Sequence, residues 1–65
     1  PYLDIYELEL ATSRQAAYLR ASYNLKTPDA IQIATALLKD ADFFLTNDME
    51  LKKVSEIDVV TLKDI

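Results

Sequence analysis

No glycine occurs anywhere in this 65-residue chain. Wherever the backbone must turn left-handed, as it commonly does at helix ends, another residue has to make the turn. Asparagine and aspartate are the residues that tolerate it. Asn24 and Asp40 stand where this need arises, and each is expected to close a helix in place of glycine. The chain also lacks Cys and His. No disulfide can brace it, and a zinc site of the usual kind is excluded. Any metal it held would be a hard cation on carboxylate oxygens, such as Mg²⁺, Mn²⁺ or Ca²⁺.

Between those two closures lies the clearest segment. Thr27-Pro28-Asp29 is a helix start: Thr27 as N-cap, Pro28 at the first helical position, Asp29 near the positive dipole end. The helix is expected to run to about Lys39. Ala30, Ile31, Ile33, Ala34, Leu37 and Leu38 cover nearly half its circumference, which implies burial on most sides. Upstream, Ala16, Leu19 and Tyr23 recur at helical spacing, with Arg14 and Tyr18 on the opposite side. Thr12 or Ser13 would cap that helix. Tyr2 to Leu8 alternates imperfectly and is expected to be a short strand or an extended lead-in.

Downstream, Phe43-Phe44-Leu45-Thr46 is a short apolar run of the buried-strand type. Asn47 with Glu50 resembles a capping box, opening a short helix to about Val54. Asp58 to Leu62 forms a second strand rich in β-branched residues. About a dozen residues containing a helix join the strands, enough for a parallel crossover. The order helix, helix, strand, helix, strand implies an α/β fold.

That fold brings two acids together. A helix from Pro28 to Asp40 advances about 18 Å at 1.5 Å per residue. A strand from Asp42 to Asn47 returns about 17 Å. If the two run antiparallel, Asp48 arrives beside Asp29, at the strand ends where open α/β sheets bind ligands. Two adjacent carboxylates suit a divalent cation, which can activate water for phosphodiester hydrolysis. The same residues also suit purely local roles, Asp29 as a dipole-favoured first-turn residue and Asp48 as a cap. Asp4, Glu7, Glu9, Asp40, Asp42, Glu50, Glu56, Asp58 and Asp64 are expected to be solvated. The net charge of −4 is against a broad nucleic-acid surface but compatible with an acidic metal site. The basic residues are scattered apart from Lys52–Lys53, and surface solvation is the expectation for that pair too. No apolar run approaches the ~20 residues needed to cross a membrane, and a cytoplasmic protein is expected. The chain begins with Pro1, as a processed or truncated piece would.

The stretch from Thr27 to Leu37 (TPDAIQIATAL), followed by Asp42 to Asp48 (DFFLTND), resembles the C-terminal half of VapC-type PIN domains. Ala16 to Ala21 is similar to the preceding helix of that family, and Val59-Val60 to its closing strand. The resemblance implies the C-terminal part of a PIN-like parallel sheet sandwiched by helices, with residues 1–65 one portion of a single domain and the N-terminal half absent. It implies Mg²⁺- or Mn²⁺-dependent endoribonuclease chemistry, in a toxin neutralised by a protein antitoxin. Asp29 and Asp48 match two catalytic metal-binding acids, and Thr46 a supporting position. The family also uses an Asp ending its first strand and a Glu on an N-terminal-half helix. Neither has a counterpart here, so the chain alone is expected to be inactive on RNA. Without the first strand, the Phe43–Thr46 edge would lie open, and the chain would self-associate or fold poorly. The alternative expectation is a non-catalytic PIN-like module that binds protein.

Overall fold

The computed structural model describes residues 4–64. Two helices, α1 (Ile5–Tyr23) and α2 (Thr27–Leu38), precede strand β1 (Phe43–Thr46), a 3₁₀ turn (Met49–Lys53), strand β2 (Asp58–Thr61) and a short 3₁₀ turn (Leu62–Asp64). The expected α/β architecture and element order are thus observed.

The start of α1 departs from expectation. Ile5 to Leu8 is helical, neither strand nor extended lead-in, while Tyr2 and Leu3 lie outside the described residues. Asp4 is the cap, its Oδ1 accepting from the Glu7 amide at 2.8 Å. An acid followed three residues later by Glu is itself a helix-start signal. Thr12 therefore sits inside the helix rather than capping it, and its hydroxyl donates to the Leu8 carbonyl at 2.8 Å. Ser13 is interior for the same reason.

Both left-handed closures are present. Asn24 ends α1 at φ 55° and ψ 47°, its amide donating to the Arg20 carbonyl at 2.8 Å. Asp40 closes α2 at φ 55°. The Asp40 amide reaches the Leu37 carbonyl at 3.1 Å, and the Ala41 amide reaches Ala36 at 3.0 Å. These paired bonds form a Schellman closure. At the other end of α2, the first helical bond runs from the Ala30 amide to the Lys26 carbonyl. The cap position is therefore Lys26, and no side chain fills it. Thr27 already belongs to the first turn and does not cap.

The core lies between α1, α2 and the β1–β2 layer. Ala16, Leu19, Leu25, Ala30, Ile33, Ala34, Leu51, Val54 and Ile57 are buried, with Tyr23, Leu37, Phe44 and Val59 packed against them. Full burial of one such aliphatic side chain is worth ~1.5–3 kcal/mol. α2 is covered on one face rather than on most sides, since Ile31 and Leu38 are exposed. The two strands pair in parallel, Phe43 with Asp58 through Thr46 with Thr61. β1 was expected to be buried, but its side chains alternate. Phe44 meets the core, whereas Phe43 and Leu45 are 54% and 55% exposed on the other face. Only β2 flanks β1 among the described residues, so its second edge carries no strand there.

Candidate metal and nucleic-acid site

The first turn of α2 and the turn after β1 meet at a cavity of about 210 Å³. Asp29 and Asp48 both line it, together with Glu50, Lys26 and Lys53. Two acids 19 positions apart in the sequence are thus brought to one cavity. Asp29 is half-buried, Asp48 exposed.

Local hydrogen bonds orient Asp48. Its amide donates to Thr46 Oγ1 at 3.1 Å, and its Oδ1 accepts from the Glu50 amide at 2.9 Å. Asp48 is therefore the cap of the 3₁₀ turn. This replaces the expected Asn47–Glu50 capping box: the first bond of the turn runs from the Leu51 amide to the Asp48 carbonyl, one residue later than Asn47 would need. The expected short helix is accordingly a 3₁₀ turn. Thr46, expected to support the site, holds Asp48 through its hydroxyl.

Three charged residues on this cavity were not expected there. Lys26 was given no site role, while Glu50 and Lys53 were expected to be solvated surface residues. The 3₁₀ geometry supplies the cause for two of them, because residues i and i+3 eclipse in it. Glu50 and Lys53 consequently share a side and form a loose pair at 3.9 Å, with Glu50 80% exposed. Lys26 reaches the cavity from the uncapped start of α2. The signal available in the sequence was adjacency, since Lys26 stands three residues before Asp29 and Glu50 two after Asp48.

Elsewhere, the Tyr23 hydroxyl donates to the Glu56 carboxylate and lies 2.9 Å from Ser55 Oγ. That bond holds the Glu56 carboxyl below its ordinary value. It ties the end of α1 to the loop before β2 and lines no part of the cavity.

The donor set suits a hard cation. The cavity offers carboxylate oxygens, and the chain has no thiol or imidazole. Among the described residues, no three acidic side chains converge on a metal-holding point. Two carboxylates nevertheless match Mg²⁺, which commonly takes one or two and keeps several waters.

An α/β fold with two acids lining one cavity after its first strand is compatible with a small nuclease-like domain. The PIN domain family model matches residues 1–57, and the chain belongs to that family. Membership points to nuclease-type function, to RNA as the polymer bound, and to dependence on a divalent metal as the family's general habit. No curated protein and no solved structure matches the chain. No described helix is long and apolar enough to cross a membrane.

Proposed function

We propose that the chain is the C-terminal part of a VapC-type PIN endoribonuclease, the toxin of a toxin–antitoxin pair, with Asp29 and Asp48 as its share of a Mg²⁺ or Mn²⁺ site. The shared cavity of Asp29 and Asp48 is the observation that carries this reading. Among the described residues the Asp29 carboxylate accepts no protein hydrogen bond, whereas Asp48 spends Oδ1 on its own turn. Asp29 is thus the direct ligand and Asp48 the weaker one. Thr46 positions Asp48 by accepting from its amide. When bound, the cation supplies an activated water and offsets charge on the phosphoryl oxygens. The remaining acids come from a preceding segment of the same domain, so the 65 residues alone cleave RNA weakly or not at all.

The test is RNA cleavage with Mg²⁺ or Mn²⁺ by the longer protein that contains this segment. Asp29→Asn, at the direct ligand, should lower the rate by more than about 100-fold, and Asp48→Asn by about 10-fold, the lower end of what losing a group that supports a metal ligand costs. A fully active Asp29→Asn protein would overturn the assignment. The open edge of β1 and the exposed Phe43 and Leu45 favour a second reading, a non-catalytic module that binds protein partners. An antitoxin could occupy the same surface. Normal partner capture by Asp29→Asn protein that never cleaves RNA, with or without the substitution, would select this second reading.

A further inference from the structure

The cavity of Asp29 and Asp48 is built from two stretches far apart in the chain. Residues between Asn24 and Asp29 line one side, and residues between Asp48 and Lys53 the other. The first stretch begins directly after Tyr23, the last residue of α1. The second ends two residues before Ser55 and three before Glu56. Tyr23 joins these flanks. Its hydroxyl donates to the Glu56 carboxylate, lies 2.9 Å from Ser55 Oγ, and accepts from the Ser55 amide at 3.3 Å.

Among the described residues, the hydrogen bonds that join the two helices to the chain from β1 onward centre on Tyr23. The Tyr18 hydroxyl adds a lesser one to Glu56. No ion pair crosses there among the described residues. The rest of the union is apolar packing, which is non-directional. Packing holds the two parts together without fixing the distance between side chains at their rim. A hydrogen-bonded side chain on an anchored ring can fix it. The Tyr23 ring packs against the core, so its hydroxyl is presented from a firm base. Sites for small ligands need placement within ~0.5 Å, and groups that never touch the ligand supply much of it.

We propose that Tyr23 is a positioning residue of the acid cavity, its hydroxyl setting the separation of Asp29 from Asp48 through Ser55 and Glu56. Tyr23 lines no part of the cavity and acts through the backbone on either side of it. The role in binding rests on reading the two acids as a metal site, while the spacing does not.

The chain has no cysteine, so two introduced ones carry spin labels at unique places. Gln32→Cys on α2 and Met49→Cys on the 3₁₀ turn are exposed positions outside the cavity. Their separation is read by double electron–electron resonance in the metal-free 65-residue chain, diluted with unlabelled copies so that only distances within one chain count. Tyr23→Phe keeps the ring and should broaden the distance distribution. Glu56→Ala should do the same, and the double variant should go no further than either alone. Glu56→Gln keeps an acceptor oxygen and should stay narrow. Val59→Ala removes core packing in β2, away from the cavity. It should lower the melting temperature at least as far as Tyr23→Phe and leave the distribution narrow. Mn²⁺ binding by the unlabelled chain is read from the resonance of free Mn²⁺. Tyr23→Phe should weaken it roughly fivefold, the net worth of one hydrogen bond. Val59→Ala should not change it. An unchanged distribution in Tyr23→Phe would overturn the proposal, as would equal loss of Mn²⁺ affinity in Val59→Ala. If Asp29→Asn binds Mn²⁺ as tightly as the parent, the metal reading fails instead, and the labels still decide whether Tyr23 sets the spacing.

Discussion

Thr61 is almost wholly buried, and both its amide and its hydroxyl donate to Oδ2 of Asp64, at 2.8 and 3.1 Å. Lys52 reaches the same oxygen at 2.6 Å. The Lys52 ammonium, with the Thr61 bonds behind it, holds the Asp64 carboxyl at about 2, below its ordinary 3.8. A lowered folded value stabilises the protein above the unfolded value and stops doing so as pH falls through the folded one. The stabilisation from Asp64 is therefore present above pH 3.8 and disappears toward about 2. Urea unfolding should show Lys52→Met less stable than the parent near neutral pH, with the gap closing as acid protonates Asp64. A gap that stays constant across that range would show that Lys52 acts by packing rather than charge.

Among the elements, α1 is the most unevenly supported. Its buried residues, Ala16 and Leu19, both lie in its second half. Ile5 and Tyr6 are 78% and 75% exposed. Helical segments without packed faces open locally at little cost. Amide exchange should therefore slow steadily from Leu8 to Tyr23, with protection concentrated after Thr12. Uniform protection along α1 would mean that another surface covers its first half. The same helix marks the limit of what the sequence made legible. Its second half was plain from the Ala16, Leu19 and Tyr23 stripe. Its first half was hidden because Tyr2, Ile5 and Tyr6 favour strands and outweighed the Asp4–Glu7 start signal. α2, β1 and β2 were legible because Pro28, the Phe43–Thr46 run and Val59–Val60 each admit few alternatives. The meeting of Asp29 and Asp48 followed from element lengths. The arrival of Lys26, Glu50 and Lys53 did not, because it depends on a turn being 3₁₀ and on a cap shifted by one residue, and neither is written in periodicity.

At the scale of the whole molecule, the sheet is the incomplete part. β1 has an open edge among the described residues, and its outer face presents Phe43 and Leu45. An open edge with apolar side chains is a template for pairing with another chain. The 65 residues on their own should therefore sediment above the 7.4 kDa monomer. Leu45→Lys, a charge of the kind that blunts edges, should shift them toward it. A stable monomer at high concentration would mean that the edge is protected by other means.

The parallel pairing of β1 with β2 through a single 3₁₀ turn has a further effect, on the order in which the chain can fold. The elements that pack most closely succeed one another along the chain: α1 with α2, α2 with β1, and the turn and β1 with β2. Closing short loops costs little entropy, and chains whose partners lie nearby fold quickly. Each element can settle on one made shortly before it, so this segment is able to assemble in step with its own synthesis.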